Sequence, residues 1–479
     1  MRFPLPQLLL VTLFAPSVLA LPDFQFGVSE KLLDTPNGFR DTQLADLDAD
    51  GDLDLLVVLP DQVNGLLVYT NDGAGNFALT QTSPLPDWGV VLDVGDLDGD
   101  GDLDVVVAAS HFSESVVAFM NQGTGVLGAG IVTPLGNVVS DLALADFDGD
   151  GNLDVVLSNW NSDTLSIHPG DGAGHFAAGT TIPLLGKAFG LAVADFDGDL
   201  APDIAVANFG GIPTFTLPGE VWVFRNDGAG GFAAHDSYDS GRGCWALVAG
   251  DMDRDGDLDL ISTNRNTSSI SYLENQGGLF LPEVQYLVGG FPNATALGDF
   301  DADGDLDVAA PSGNSPETHF LAGDGTGSLT ADFVLPGLFN QSAATVGDVD
   351  GDGDLDLVVG GSQSVALFRN QTPQLNPFWI EVSHLVAGQT EEVHAENATP
   401  FSVSFLAVSF AGLVPELYLP VLDTTVALAS PVLWGAQLTG ADGTNTWSFA
   451  LPPGLTGLNL WLQAFQYQAS SFPITTQIQ

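Results

Sequence analysis

The chain has 479 residues, 45% of them hydrophobic, and a positive mean hydropathy of +0.23, so it exceeds one ordinary core and is too apolar for a disordered acidic chain. Against 61 Asp and Glu stand only 9 Lys and Arg, a formal charge of −52, which argues against nucleic acid or an anionic membrane surface as a partner because both need a basic patch. A single cysteine, Cys244, excludes an internal disulfide.

Residues 1–20 read as a signal peptide: Arg2 at the positive end, an apolar stretch from Leu8 to Phe14, and Val18 and Ala20 before the cut. Pro4, Pro6 and Pro16 interrupt it, and no later run approaches the ~20 apolar residues of a membrane span. The expectation is an exported protein, secreted or held at the cell surface, with no membrane insertion. Without a disulfide, another cross-link must stabilise it outside the cell.

Residues 21–375 carry an acidic nonapeptide seven times, beginning at Asp46, Asp96, Asp146, Asp195, Asp251, Asp299 and Asp348, at spacings of 50, 50, 49, 56, 48 and 49 residues. These loops hold 33 of the 61 acidic residues, so the charge is a repeated site and not a general surface property. At positions 1, 3, 5, 7 and 9 stand Asp46, Asp48, Asp50, Asp52 and Asp54; Asp96, Asp98, Asp100, Asp102 and Asp104; Asp146, Asp148, Asp150, Asn152 and Asp154; and Asp195, Asp197, Asp199, Ala201 and Asp203. The last three loops place Asp251, Asp253, Asp255, Asp257 and Asp259; Asp299, Asp301, Asp303, Asp305 and Asp307; and Asp348, Asp350, Asp352, Asp354 and Asp356 in the same positions.

Carboxylates at positions 1, 3 and 5 of a tight turn converge on one point, and glycine at position 6 permits the bend that lets the carbonyl of position 7 join them. Such a hard-oxygen cage suits Ca2+, up to seven ions in all. An EF-hand loop begins alike but needs a bidentate Glu at position 12, where this chain has Val57, Val107, Leu157, Val206, Ser262, Ala310 and Val359. A metal-free Asx turn is the plainer reading of any one copy. Seven copies of four or five crowded carboxylates would repel strongly without a cation. The fourth loop departs from the pattern: Leu200 replaces the glycine and Pro202 the usual leucine, so the weakest binding is expected there.

Each loop joins two strand-like runs, such as LALAD before the third loop and DVVLSN after it, and a hairpin turn such as NDGAGNF from Asn71 follows a third run. Four strands per ~50-residue repeat predict a seven-bladed β-propeller; a linear β-solenoid is the runner-up, with shorter rungs. The nonapeptide resembles the FG-GAP or VCBS repeat family of integrin α-subunits and secreted bacterial proteins, and Phe189-Gly190 and Ala309-Ala310-Pro311 echo its name-giving peptides. The resemblance implies an all-β propeller with calcium loops on one face and ligand contact on the other. The seventh repeat lacks a fourth strand after SVALFRN, so residues 24–33 are expected to close the ring as its outer strand.

Residues 376–479 have no acidic loop, and their apolar runs between Pro and Gly turns predict a small C-terminal β-sandwich. On the face opposite the loops, aromatics precede the first strand in six repeats: Phe39, Trp88, Phe189, Trp245, Phe291 and Phe339. Ser110-His111, Asn159-Trp160, Asn208-Phe209 and Asn264-Arg265 follow the second strand. Packing between blades accounts for most of these aromatics. Trp88, Trp160 and Trp245, bulky for a repeated slot, are candidates for a sugar with Asn159, Asn208, Asn264 and His111. The functional expectation is a monomeric extracellular binding or adhesion module for a protein or glycan, without catalysis. The alternative is a polysaccharide lyase acting on uronates, but with Lys31 and Lys187 as its only lysines and seven scattered histidines the chain offers no visible base pairing.

Overall fold

The computed structural model describes Phe26, residues 30–34 and residues 38–371, apart from short stretches at 62, 64, 111–113, 211–217 and 233–234; beyond 371 it describes the backbone of nine strands. The signal-peptide segment lies outside the described residues. Two compact units divide the chain, Met1–Thr372 and Pro373–Gln479. The described elements are all β, and none is a helix long and apolar enough to cross a membrane.

In the first unit seven four-stranded antiparallel sheets follow one another, and each of the first six is one repeat. The third blade is typical: Val139–Ala145, Asp154–Asn159, Thr164–His168 and Thr180–Pro183, paired in sequence order. First strands of successive blades are neighbours all the way round, and that of the seventh blade, Ala343–Gly347, returns to that of the first, Asp41–Ala45. The ring is therefore a closed seven-bladed propeller, with the first strands around the axis and no room for an open solenoid.

Burial explains the sequence pattern within a blade. Second strands such as Asp104–Ala109 are buried at every position, because neighbouring blades cover both faces, and so they read as continuous apolar runs. Fourth strands such as Ala78–Ser83 form the rim and are largely exposed. Gly190 shows how close the inner strands lie: a Cβ there would sit 2.7 Å from the Cα of Ala246 on the next blade.

The seventh blade is completed from the other end of the chain. Glu30–Asp34 pairs antiparallel with Ser364–Phe368, and Phe26 bridges Asn370. The expected clasp is present, its regular strand shifted toward residue 34. Phe26 packs its ring 4.7 Å from Phe320 and 6.0 Å from Phe300 of the sixth blade, so the clasp also seals an interface between blades.

In the second unit, Trp379–Val382, Thr390–Glu396 and Asn445–Ala450 form a three-stranded sheet, and Val403–Ser409, Val432–Leu438, Trp461–Gln468 and Ser471–Ile478 a four-stranded one. A two-stranded hairpin of Glu416–Leu419 and Thr424–Ala427 completes it.

Deleting residues 24–34 is expected to lower the melting temperature sharply and to promote aggregation, since it bares a strand edge and an apolar face. Phe26→Ala alone should cost about 2 kcal/mol, less than a fully buried Phe because the ring is only partly covered. Urea denaturation of the two variants checks both; wild-type midpoints would remove the clasp.

Candidate functional site

All seven acidic loops share one backbone geometry. The carboxylate of position 1 accepts the N–H of position 6 at 2.8–3.2 Å, from Gly51 onto Asp46 through to Gly353 onto Asp348. Position 5 accepts the N–H of position 7 at 2.8–3.0 Å, from Asp52 onto Asp50 through to Asp354 onto Asp352. Positions 4 and 6 are both left-handed, which glycine tolerates and other residues adopt at a cost. Leu200 obeys the same geometry at φ +75° with its side chain 91% exposed, so the fourth loop forms normally but carries strain with no packing to offset it.

Two features whose roles the sequence did not show hold each loop in place. Position 2 is an apolar plug, from Leu47 and Leu97 through Phe147, Phe196, Met252 and Phe300 to Val349, and every one is buried. Position 9 is a buried aspartate that uses both oxygens. One accepts the N–H of position 2, as Phe300 onto Asp307 at 2.8 Å, and the other accepts an N–H at or just past the end of the third strand, as Asn275 onto Asp259 at 2.7 Å. Burial drives these carboxyls upward: Asp54, Asp203 and Asp259 to about 6, Asp356 to about 7 and Asp307 to about 8.

That donor is an asparagine just past the third strand in five blades, and its side-chain amide reaches the previous blade. Asn121 donates to the carbonyl of Leu47 at 2.6 Å, Asn226 to Phe147 at 2.8 Å, Asn275 to Phe196 at 2.8 Å and Asn370 to Phe300 at 2.7 Å. Asn71 donates to Val349 at 2.7 Å across the ring closure. In blades three and six Gly170 and Gly323 stand there and keep only the main-chain bond. The recurrence of Asn before the hairpin glycine was the available signal.

The loops fit a hard cation. Oxygens of Asp46, Asp48 and Asp50 lie within 4.8 Å of one another, as do those of Asp195, Asp197 and Asp199, and five further clusters do the same. One carboxylate oxygen each of Asp48, Asp197, Asp251 and Asp350 is buried with no hydrogen-bond partner. A buried carboxylate oxygen without a donor is costly, and a cation at the convergence point would satisfy it. Arginine supports some of the loops: Arg369 lies 2.7 Å from Asp350, Arg225 3.5 Å from Asp197, and Arg254 2.5 Å from Asp305 of the next blade.

Around the axis a second carboxylate set brackets the inner strands. Asp41 accepts the N–H of Leu92 at 3.0 Å, Asp93 that of Leu144 at 2.9 Å, and Asp141 that of Leu191 at 2.8 Å, each from the following blade. Burial pushes Asp41 up to about 6 and Asp141 up to about 8, with the other two carboxylates adding repulsion at Asp141. They line an axial cavity of about 410 Å³ together with Phe189 and Trp245.

On the face opposite the loops the two sets of connections meet. Ser110 donates its N–H to Trp88 at 2.9 Å, Trp160 to Val138 at 3.2 Å, Phe209 to Lys187 at 3.0 Å and Arg265 to Gly243 at 2.9 Å. Of the proposed ligand residues, Trp88 and Trp160 are exposed, at 37% and 41%. Trp245 is not open: Phe189 stacks on it at 4.1 Å and the Arg265 guanidinium caps it at 4.7 Å, so neither indole face is free for a sugar. Asn159, Asn208 and Asn264 are a correction. All three are buried and donate within their own blades, to Ser166 at 3.0 Å, Glu220 at 3.2 Å and Ser271 at 2.7 Å, because the end of a second strand lies inside the blade. His111 lies outside the described residues. Among the family-type aromatics Phe39 is packed, whereas Phe291 and Phe339 are exposed.

A closed seven-bladed propeller with an acidic turn on every blade defines the class. The FG-GAP-like repeat matches at residues 46–107, 96–157, 146–206, 212–262, 251–310 and 299–359, more than half of the chain, and the protein belongs to that family. Five of the six matched units begin at the first Asp of a loop, and none begins at Asp195 or Asp348. No curated protein matches the chain. Among solved structures it is similar to a chain of the crystal structure of BBS1N in complex with ARL6DN, soaked with lead, with 14% identity, a TM-score of 0.49, and coverage of 73% of this chain and 98% of that one.

Two outcomes follow. Leu200→Gly should relieve about 1–2 kcal/mol of left-handed strain, less about 0.5–1 kcal/mol of added chain entropy, and so leave a small net gain measurable as a higher urea midpoint. The raised carboxyls bind protons more tightly folded than unfolded, so their stabilising contribution is full below the unfolded value of 3.8 and is lost as pH rises through about 6 to about 8. Thermal melts in chelator should therefore fall across that window, and Asp141→Asn should flatten its upper half; a metal-free protein that gains stability from pH 5 to 8 would reverse the sign.

Proposed function

We propose that this protein is a secreted or surface-displayed calcium-binding propeller that serves as an extracellular binding or adhesion module for a protein or glycan ligand. The orphaned carboxylate oxygens inside the acidic loops carry the calcium part of the reading. Asp at positions 1, 3 and 5 of each loop, with the carbonyl of position 7 and the second oxygen sites of position 9, would hold the ion. Calcium would then act as the cross-link that the lone Cys244 cannot provide, tying each loop to the blade through Asp at position 9 and to its neighbour through Asn where present.

Ligand contact falls to the opposite face, where Trp88 and Trp160 stand exposed beside backbone-locked connections. A closed ring buries the faces of its blades, leaves only short outer strands as edges, and suits a monomer. The C-terminal strands are read as a β-sandwich. Binding is favoured over uronate cleavage by the placement of the described histidines. His168 and His319 are buried, His175 pairs with Asp171 on a hairpin turn, and His235 packs on Trp222, which leaves none of these four poised as a base at the ligand face.

Calcium at millimolar concentration should raise the melting temperature, since extracellular modules bind at ~10⁻⁴ to 10⁻³ M and a site at 100 times its Kd adds about 2.7 kcal/mol. The stabilisation should grow from pH 5 to 8, opposite to the metal-free trend, because the ion selects the ionised carboxylates. Identical melting in calcium and in excess chelator after full metal removal would falsify the assignment.

A further inference from the structure

We propose that Arg369 and Arg225 are built-in counter-ions of the seventh and fourth acidic turns, so that these two turns keep their shape without metal and bind calcium more weakly than the rest. This rests on the reading of the acidic turns as calcium sites and names the residues that rank them.

The second and seventh turns make the comparison. Their nonapeptides, DLDGDGDLD from Asp96 and DVDGDGDLD from Asp348, differ only at the buried plug, Leu97 against Val349. Both have glycine at the two left-handed positions, Gly99 and Gly101 in one, Gly351 and Gly353 in the other. By their own residues they are equal calcium sites. What differs is the side chain just past the third strand beside them, Met120 in the second blade and Arg369 in the seventh. The two occupy one place in the fold: a hairpin glycine of the following blade closes over each, Gly174 on the Met120 sulfur and Gly75 on the Arg369 guanidinium, with no room for a Cβ at either.

Arg369 joins three parts of the ring. Its guanidinium lies 2.7 Å from Asp350, position 3 of the seventh turn, and 3.6 Å from Glu30 of the clasping strand. It also donates to the carbonyls of Ala74 at 3.1 Å and Gly75 at 2.9 Å across the ring closure. Arg225 repeats the arrangement in the fourth blade. It lies 3.5 Å from Asp197, again position 3, pairs with Asp236 of the fourth strand and donates to the carbonyl of Gly278 on the next blade. In both turns the aspartate lends one oxygen to the guanidinium, while its other oxygen stays buried without a hydrogen-bond partner.

A guanidinium fixed there offsets part of the carboxylate repulsion in the metal-free turn, and it sets a positive charge beside the place of a divalent ion, which lowers the affinity for that ion. Ordering one Asp side chain in advance favours binding, but by less than a unit charge a few ångströms from the ion opposes it. The outer partners Glu30 and Asp236 do not cancel that charge, because both are more than half exposed and screened by solvent. The other five blades carry no cation at this place, where Thr70, Met120, Pro169, Glu274 and Ala322 stand. Glu274 reverses the sign: it lies within charge range of Asp253 and adds to the negative field of the fifth turn. Arg254, half-exposed, pairs with Asp305 at position 7, which serves an ion through its carbonyl, and so leaves positions 1, 3 and 5 of the sixth turn alone. The two arginines thus fall where support without metal matters most, at the ring closure and in the turn that contains the strained Leu200.

The test counts calcium ions. Metal-free protein, residues 21–479, is dialysed against buffered calcium from ~10⁻⁵ to 10⁻³ M, and bound calcium is measured by atomic emission alongside the melting temperature. At a concentration that fills the other turns, the wild type should hold two ions fewer than it has turns. Arg369→Gln should tighten the seventh turn about tenfold and retain one ion more, while its metal-free melting temperature falls. Arg369→Lys keeps the charge but loses the fork onto Ala74 and Gly75, so it should lower metal-free melting with the ion count unchanged, which separates charge from packing. Glu274→Gln, outside both arginine networks, should weaken the fifth turn about tenfold, and it keeps the ranking testable even where the closure variants do not fold without metal. An ion count that stays the same or drops in Arg369→Gln, or an unweakened fifth turn in Glu274→Gln, overturns the proposal. A wild type whose seven turns fill together overturns the ranking and leaves the calcium reading standing, whereas one that holds no calcium at millimolar concentration removes both.

Discussion

Seven buried aspartates, one at position 9 of each acidic loop, are the constraint on which the propeller depends. Each sits where a blade's first turn, its second strand and its third strand come together, and each gives one oxygen to the turn and one to the end of the third strand. Their carboxyls are driven upward by burial, so the network is under electrostatic tension wherever the neighbouring carboxylates are ionised. A divalent ion among those carboxylates turns that tension into attraction. This is why the proposed calcium and the fold are not separable parts of the protein.

The same logic passes from blade to blade. The asparagine next to the buried aspartate gives its side chain to the turn of the previous blade, and Asp41, Asp93 and Asp141 give theirs to the backbone of the following blade. Loop face and axis are thus bracketed in opposite directions around the ring. Closure then needs only an outer strand for the seventh blade, which Glu30–Asp34 supplies, with Phe26 anchored on the sixth.

Charge is sorted as well as placed. The acidic turns gather 33 of the 61 acidic residues on one face, with three arginines bound among them, while Arg40, Arg242 and Arg265, which have no carboxylate partner among the described residues, lie on the other.

Much of this was legible in one dimension, because a metal turn needs its ligands at fixed short spacing and a tight turn needs glycine at a fixed position. The seven repeats, the four strands per repeat, the departure at Leu200 and the borrowed strand from the N-terminal segment all follow from local chemistry and from counting strands. What the sequence could not decide is where a side chain points once blades pack. Asn159, Asn208 and Asn264 look like surface amides beside exposed aromatics, but each is the last residue of a buried second strand and turns inward. Trp245 looks as available as Trp160 until Phe189 and Arg265, brought from the neighbouring blade and from the next connection, cover it. Spacing along the chain specifies turns and strands because those are local; the availability of a residue to a ligand depends on neighbours some fifty residues away, and only the closed ring sets them.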